Sequence, residues 1–480
     1  MPPPLVLRNA RTSPGADPVD LPITGDRIDA DPTGGAEIVD VEGRLVLPGL
    51  WDAHVHFDQW ALAQAALDLS GATSAAHAVA LVATRLAVDS TPVLVARGFR
   101  DGLWPDAPTA AALDAIAPAR PVVALSADLH CAWFNTYALQ HFSLHPHPTG
   151  VLRESEFMPL MNDIQRVDPE VRDRLVDAAA RAAAARGVVG VVDFEIADNL
   201  AAWTRRIGAG TRYLRVRCGI WPRWLGAAIA AGMRTGDAVP GTAGLATVGP
   251  VKVIVDGSLG TRTAYCHEPY PDGERGVLSV PPEQLQPLMR HAHDHGFESA
   301  VHAIGDHACE YVLDAFAATG AHGSVEHAQL VAERDVPRFA RSGIAASIQP
   351  AHVYDDVDLA ERYWPGRTHR SFPYATLHAA GARLVLGSDA PVAPLDPWRT
   401  LAAAIDRTLP DGRVWHREQE LELQVALAAS TGGRTRVTGG DVADLVVLDA
   451  DTLPRSGAEL AATAVRGTML GGRWTHGPLA

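Results

Sequence analysis

The chain has 480 residues, a hydrophobic content of 47%, a charged content of 20% and a formal net charge of −15 at pH 7. This length fits a large domain with an accessory unit, and the composition is that of an ordinary folded protein. The negative charge and the absence of a basic run argue against nucleic acid or an anionic membrane as a partner, because phosphate binding needs a basic patch.

The N-terminal sequence MPPPLVLRNARTSPG has no apolar segment of signal-peptide length, and no stretch of the chain approaches a membrane span. The cysteines are scattered without a CxxC pair, which is typical of reduced thiols in a cytoplasm. They are Cys131, Cys218, Cys266 and Cys309. We therefore predict a cytoplasmic protein.

Both ends of the chain contain short strand-like segments joined by Pro, Gly and Asp. LVLRNA and AEIVDVEGRLVLPG lie near the start, and ADLVVLDAD (443–451) and VRGTMLGGRWTHG (465–477) lie near the end. Neither end can bury much surface by itself. We expect residues 1–48 and 435–480 to form one composite β-sandwich domain.

Eight β-rich runs, separated in several places by helical patterns such as PEVRDRLVDAAARAAAAR and PEQLQPLMRHAHDH, occupy the middle of the chain. In chain order they are LVLPGLWDAHVHF, GVVGVVDF, YLRVRCGIW, VKVIVDG, ESAVHAIGD, GSVEHAQL, GIAASIQPAH and ARLVLGSDAP. This alternation predicts an α/β fold, a (β/α)8 TIM barrel over residues 49–434.

The segment after the first run is too long for one crossover. Residues 58–168 contain two further strand-like pieces, PVLVARGF and PVVALSAD, with Pro-rich connections. We expect most of this segment to be an insertion that forms a lid over the C-terminal mouth of the barrel.

Polar side chains interrupt the apolar runs at their C-terminal ends, where TIM barrels gather ligands. His54 and His56 face the same way on the first strand, with Asp52, because side chains alternate along a strand. Four further residues follow on later runs, namely Lys252, His302, His327 and Asp389. We predict that these residues converge at the barrel mouth, with Glu326 on the opposite side of its strand from His327.

The order of these residues resembles that of the amidohydrolase superfamily, and within it amidohydrolase family 3, the branch related to N-substituted formamide deformylases. The stretches that carry the resemblance are LPGLWDAHVHF, VKVIVDGSLGTRTA, VHAIGDHA, VEHAQL, SIQPAH, LGSDAPV and ADLVVLDAD. They extend from residue 46 to residue 451, so the resemblance covers almost the whole chain.

The resemblance implies a binuclear metal centre, with two Zn²⁺ ions per chain as the expected cofactors. His54 and His56 would bind one ion with Asp389, and His302 and His327 would bind the other. Lys252, deprotonated by burial, would add carbon dioxide to give a bridging carbamate. The alternative for Lys252 is an internal salt bridge to an acid at a strand end.

The resemblance also implies hydrolysis of a carbon–nitrogen bond in an amide-like small molecule. A metal-bridged hydroxide would attack the carbonyl, and Asp389 would carry the proton to the leaving amine. Six further residues are candidates for contact with substrate, by position and by analogy. They are Asp256 in the loop after the fourth run, Gln349 and His352 in SIQPAH, and Asp128, His130 and Asn135 in the insertion.

Two other functions remain open from the sequence. A mononuclear zinc deaminase of nucleobase-like rings uses similar histidines and an aspartate but needs no lysine ligand. A barrel that has lost catalysis and serves as a scaffold is the third possibility. N-formyl amines, N-acyl amino acids, cyclic amides and esters all remain candidate substrates, and a homodimer is the common oligomer.

Overall fold

The computed structural model describes residues 4–29, 35–101, 104–126, 131–153, 156–157, 160–164 and 167–478. The chain divides into two compact units, one of Met1–Phe57 with Ala180–Ala480 and one of Asp58–Ala179. Among the described residues, no helix combines the length and the apolar character needed to cross a membrane.

The chain begins with strands that belong to two sheets. They are β1 (Leu5–Ala10), β2 (Val19–Thr24), β3 (Arg27–Ile28), β4 (Glu37–Asp40) and β5 (Val46–Pro48). The first four form a sheet in the order β3-β2-β1-β4. The first barrel strand, β6 (Leu50–Val55), follows β5 after one residue.

The unit Asp58–Ala179 contains a five-stranded sheet in the order β11-β10-β9-β8-β7. Its strands are β7 (Leu67–Asp68), β8 (Leu94–Phe99), β9 (Val122–Ser126), β10 (Cys131–Phe134) and β11 (Val151–Arg153). The helices from α1 to α6 are α1 (Phe57–Ala65), α2 (Ala75–Leu86), α3 (Ala110–Asp114), α4 (Thr136–His141), α5 (Met161–Ile164) and α6 (Pro169–Ala184). Val122 and Ala124 join one buried apolar cluster and Val123 and Leu125 join another, so both faces of β9 are packed.

The larger unit contains eight parallel strands in the order β18-β17-β16-β15-β14-β13-β12-β6. Those after β6 are β12 (Val188–Asp193), β13 (Arg215–Ile220), β14 (Ala246–Ile254), β15 (Ser299–Ala303), β16 (Gly323–His327), β17 (Ala345–Ile348) and β18 (Arg383–Leu386). A parallel bridge between Val55 and Ala390 joins the first strand to the segment after the last. The predicted (β/α)8 barrel is therefore confirmed.

Helices connect the barrel strands. They are α7 (Asn199–Ala209), α8 (Pro222–Ala230), α9 (Pro282–Asp294), α10 (Asp306–Thr319), α11 (Val336–Ser342), α12 (Val353–Tyr363), α13 (Tyr374–Ala379), α14 (Pro397–Ile405) and α15 (Leu423–Ser430). Short 3-10 helices span Pro350–His352, Thr368–Arg370 and Arg417–Gln419. Strands β12 and β17 are buried along their whole length, as expected when helices cover a parallel sheet whose inner face is also packed.

The C-terminal segment returns to the strands at the start of the chain. It contains β19 (Leu445–Leu448), α16 (Gly457–Ala461), β20 (Val465–Leu470) and β21 (Arg473–His476), and β19 pairs antiparallel with β5. One buried cluster contains Leu7 from the beginning of the chain and Leu445 and Met469 from its end. The predicted domain boundaries and the placement of the insertion as a lid stay predictions.

Candidate metal centre

The two histidines of the HxH motif face one carboxylate. His54 is near the end of β6 and His56 is one residue beyond it, and their ring centroids are 5.8 Å apart. The Nε2 atoms of both rings lie 3.4 Å from Oδ1 of Asp389. The first and last barrel strands thus bring three predicted ligands together.

Asp389 is held in a backbone conformation that few residues adopt. Its φ of 58° lies in the left-handed region, and its amide donates to the carbonyl of His54 at 2.7 Å. Burial acts to raise the pKa of its carboxyl, but the charge of His54, the hydrogen bond from His56 and the charge of His327 hold that pKa well below its usual range. Asp389 is therefore ionised at neutral pH.

His302 on β15 and His327 at the end of β16 form the second pair, with ring centroids 4.4 Å apart. Nε2 of His327 lies 4.0 Å from Oδ2 of Asp389. Burial, with the charge of Lys252, lowers the pKa of His302 to about 3. Burial, with the charge of His302, lowers the pKa of His327 well below its usual value. Both imidazoles are neutral at pH 7, which is the form that binds a metal.

Lys252 lies inside the barrel on β14 and is 1% exposed. Its Nζ is 3.4 Å from Nε2 of His54 and 4.7 Å from the ring centroid of Phe194. Among the residues that the structure describes, no carboxylate oxygen lies within 4.0 Å of this nitrogen, so the geometry does not contain the alternative salt bridge. Burial lowers its pKa, against the charges of Glu326 and Asp389. It is also the one lysine of the chain, beside forty arginines.

The side chain of Glu326 does not point away from that of His327, although strand alternation predicts that it does. Its Oε2 is 2.8 Å from Nδ1 of His54, so its side chain faces the barrel interior together with His327. Alternation along the strand fails here because His327 and Ala328 have positive φ values of 71° and 44°, which turn the His327 side chain back toward the interior. Burial opposes ionisation of Glu326, but the hydrogen bond and the charge of His54 lower its pKa overall.

Gln349 and His352, both candidates for contact with substrate, border the same cluster. Nε2 of Gln349 lies 3.2 Å from Nδ1 of His54. Nε2 of His352 lies 3.8 Å from Oδ2 of Asp389 and has no hydrogen-bond partner among the described residues. Their side chains are therefore beside the predicted ligands, and their role toward a substrate stays a prediction.

Asp256 has a different environment from the predicted substrate contact. Its carboxylate is 1% exposed and accepts hydrogen bonds from the backbone amides of Tyr265, Ile304 and Gly305. Oδ1 also lies 3.4 Å from Nε2 of His302. These contacts tie the loop after β14 to the end of β15, which fits a structural role behind His302 better than contact with substrate.

Asn135 does not fit its predicted pocket role either. It is fully buried, caps the N-terminus of α4, and uses its side-chain amide on the backbone of its own unit. The oxygen accepts from Val122 and Ala138, and the nitrogen donates to the carbonyls of Ala117 and Arg120. These four bonds occupy its hydrogen-bonding capacity. Asp128 and His130 lie outside the described residues.

The cluster at the barrel mouth has the donor atoms that Zn²⁺ prefers. One ligand atom from each of His54, His327 and Asp389 lies within 4.8 Å of the others. Neutral imidazole nitrogens and a carboxylate oxygen form the usual ligand set of a catalytic zinc site. The residues therefore fit a divalent metal.

A second group of possible ligands, His267, His307 and Glu310, is less suited to a cation. Nη2 of Arg334 lies 2.8 Å from Nε2 of His267 and 3.2 Å from Oε2 of Glu310. A guanidinium keeps its charge at all relevant pH values, so it occupies these donor atoms and repels a metal ion.

Comparison with known proteins agrees with this geometry. The sequence profile of the amidohydrolase family matches residues 37–476. The chain is 27% identical to the putative amidohydrolase YtcJ of Bacillus subtilis over 91% of this chain and 90% of that protein. It is 25% identical to N-substituted formamide deformylase of Arthrobacter pascens over 91% of this chain and 89% of that protein.

A solved structure has the same fold. The crystal structure of an uncharacterized metal-dependent hydrolase from Pyrococcus horikoshii superposes with a TM-score of 0.81, at 25% identity, over 95% of this chain and 99% of that chain. The family profile matches most of the chain, and the solved structure has the same barrel. Both comparisons identify the same group of enzymes. We conclude that the chain belongs to the amidohydrolase family and is a hydrolase with the fold of metal-dependent hydrolases.

Proposed function

We propose that this hydrolase cleaves an amide-like carbon–nitrogen bond of a small N-acyl or N-formyl amine, with two zinc ions as cofactors. The observation that carries the proposal is the position of Asp389, whose carboxylate lies between His54 and His56 on one side and His327 on the other. A carboxylate this close to His54, His56 and His327 can bind an ion with the first pair and still lie near the second.

His54, His56 and Asp389 would hold one ion, and His302 and His327 the other. Bound zinc would supply Lewis-acid polarisation of the substrate carbonyl and would lower the pKa of a water molecule to about 7. Lys252 would complete the site, because a neutral amine can add carbon dioxide and so become an anionic oxygen ligand. Burial favours the neutral amine by removing water from Nζ, and it outweighs the charges of Glu326 and Asp389, which favour the ammonium form.

Asp389 would move the proton that amide hydrolysis requires. Attack of water on the carbonyl carbon releases a proton, which the ionised carboxylate of Asp389 accepts. When the carbon–nitrogen bond breaks, the same carboxyl returns this proton to the leaving nitrogen. The products are an acid and an amine, and Asp389 is restored as a carboxylate.

The amide class of the substrate rests on the Arthrobacter pascens relative, whose name gives N-substituted formamides as its substrates. Substrate specificity depends on residues outside the shared fold, so identity of 25% supports the type of bond that is cleaved more strongly than it supports a particular group on the nitrogen.

A mononuclear deaminase remains the second candidate for one specific reason. The compact set His54, His327 and Asp389 is sufficient for a single ion. Lys252 favours two ions, because a buried lysine with no carboxylate oxygen within 4.0 Å among the described residues is costlier than an apolar side chain of similar size unless its amine is used.

The metal content of the purified protein tests the proposal directly. Elemental analysis should give about two zinc ions per chain. Hydrolysis of a panel of N-formyl and N-acyl amines should stop on removal of zinc with a chelator and return on its addition. One ion per chain with activity on a nucleobase-like ring would favour the deaminase, and a protein without metal or metal-dependent hydrolysis would contradict the proposal.

The state of Lys252 can be measured without interference from other side chains. Because the chain has one lysine, protein grown with 13C-labelled lysine and exposed to 13C carbon dioxide should give one side-chain carbamate signal by NMR. Lys252→Met is the matched control, since it has an unbranched side chain of similar size and no amine that could form the carbamate. An unmodified amine in zinc-loaded, active protein would contradict the carbamate.

A further inference from the structure

The carboxylate of Glu326 contacts His54 in the interior of the barrel. Oε2 lies 2.8 Å from Nδ1 of His54, and the two side chains are 2% and 1% exposed. The other oxygen, Oε1, accepts a hydrogen bond from the hydroxyl of Ser324. With Oε1 taken by Ser324, Oε2 is placed to accept a hydrogen bond, and this geometry assigns the hydrogen to Nδ1 of His54.

This hydrogen bond determines what the other nitrogen of His54 can do. With the hydrogen on Nδ1, Nε2 presents its lone pair to the cluster, where Oδ1 of Asp389 lies at 3.4 Å. Gln349 cannot fix this arrangement by itself. Its amide, 3.2 Å from Nδ1, offers both a donor and an acceptor after a half turn.

The barrel register fixes the position of Glu326. In the parallel pairing it lies opposite His302 on β15 and opposite Ser347 on β17. Glu326 faces inward because it is in register with the inward-facing His302. The left-handed turn at His327 then brings the His327 side chain to the same side. Glu326 and His327 can therefore act on the same site from consecutive positions.

We propose that Glu326 is a positioning residue that fixes the Nδ1–H tautomer and the ring orientation of His54, and so prepares Nε2 as a metal ligand. The inference rests on the proposed metal-binding role of His54. Histidine ligands commonly donate their second N–H to a carboxylate, which orients the ring and raises its basicity. Loss of such a partner costs roughly 10–100-fold in metal affinity or activity.

Glu326→Gln tests whether the carboxylate strengthens zinc binding, because glutamine has the same shape without the charge. We expect zinc affinity, measured by competition with a chromogenic chelator, to fall about 10–100-fold. The value of kcat/KM should fall at limiting zinc and recover when zinc is saturating. A side chain that only filled space would leave both quantities unchanged. Wild-type zinc affinity in Glu326→Gln would therefore overturn the inference.

Asp444→Asn is the matched control. Asp444 is a buried carboxylate in the same unit, and its Oδ2 lies 2.6 Å from Nε of Arg215, in contact with none of the predicted ligands. The exchange of carboxylate for amide is the same, so this variant should lose stability while zinc affinity and kcat/KM at saturating zinc stay at the wild-type values.

The tautomer of His54 provides a readout that needs no metal. In zinc-free protein with 15N-labelled histidine, the His54 signal, assigned with His54→Asn, should show hydrogen on Nδ1. Glu326→Leu, which removes the acceptor, should shift the hydrogen away from Nδ1. If His54 of the wild-type protein carries its hydrogen on Nε2, this inference is overturned and the proposed function is not. Wild-type protein that binds no zinc would instead overturn the proposed function, together with the statement that Glu326 prepares His54 for zinc.

Discussion

Two predicted ligands, His327 and Asp389, share a left-handed backbone conformation, with φ values of 71° and 58°. For residues other than glycine this conformation costs on the order of 1–2 kcal/mol each, and it persists only when the surroundings fix it. Hydrogen bonds from the Asp389 amide to His54 and from the Ala328 amide to Ala303 do so here. Such conformations concentrate at functional sites, because they aim side chains that regular strands would point elsewhere.

The proton-transfer role of Asp389 predicts a separation of binding from turnover. Asp389→Asn preserves the shape and leaves the histidines and Lys252 in place, so we expect the variant to keep most of its zinc by elemental analysis. Because an amide cannot accept the proton, kcat should fall by roughly 10²–10⁴. Asp396→Asn is the control, since Asp396 pairs with Arg186 and has no contact with the cluster. A zinc-loaded Asp389→Asn enzyme with wild-type kcat would refute the role.

At the scale of elements, the last barrel strand approaches the first very closely at the metal cluster. A Cβ atom at Gly387, just after β18, would lie 2.7 Å from the backbone nitrogen and 2.8 Å from the Cβ of His54. Such contacts are shorter than real structures allow, so β6 and the end of β18 can pack at this distance only because residue 387 is glycine. The position of His54 therefore depends on Gly387, which is not itself a predicted ligand.

This packing predicts opposite effects for two Gly→Ala substitutions. Gly387→Ala should force His54 to move, lowering the free energy of unfolding by about 1–3 kcal/mol and weakening zinc binding. Gly226→Ala, on α8, meets no atom within 4 Å and should instead stabilise the protein by about 0.5–1 kcal/mol with unchanged zinc binding. Urea denaturation and chelator competition measure both effects. Equal behaviour of the two variants would contradict the close packing.

The barrel could be predicted from the sequence because most of its strands are apolar runs, with the predicted ligands at or near their C-terminal ends. The orientation of Glu326 could not, since alternation holds only while the strand continues and nothing local signals the left-handed turn at His327. The environment of Asn135 could not be predicted either. An Asn before a helical segment is a frequent N-cap, but three of its four backbone partners, Val122, Ala117 and Arg120, lie 13, 18 and 15 residues away. Neither difference affects the set of predicted ligands.

At the scale of the whole molecule, the distribution of basic residues supports the role given to Lys252. The chain uses arginine forty times and lysine once, and the one lysine lies inside the barrel. Arginine cannot lose its proton in a protein, whereas a buried lysine can. The one amine of the chain is therefore at a position where the proposed function needs a group that can become neutral.

The unit Asp58–Ala179 has its own packed sheet, and Asp89 stabilises it through a pH-dependent network. Oδ2 accepts from Arg85 at 2.9 Å, and Oδ1 accepts from Arg120 at 2.7 Å. Burial acts to raise the pKa of Asp89, but the hydroxyl and amide of Thr91 and the two arginines hold it well below the usual 3.8. A depressed pKa means that the folded state binds the ionised form more tightly, so its contribution is complete above pH 3.8 and is lost as the pH falls further.

Asp89→Asn should therefore lower the free energy of unfolding by about 1 kcal/mol at pH 7, allowing for partial exposure of the network to solvent. The difference from wild type should shrink as the pH falls below the usual carboxyl value, because the unfolded wild-type chain then binds a proton at Asp89 while the folded chain does not. Urea denaturation between pH 3 and pH 7 measures the difference, and hydrogen exchange should locate the loss of protection within residues 58–179. The exposed Asp314→Asn, whose partner is Arg338 on another helix, is the control and should change neither quantity appreciably. A difference that stays constant down to pH 3, or increased exchange mainly in the barrel strands, would show that Asp89 does not stabilise its own unit by this ion-pair network.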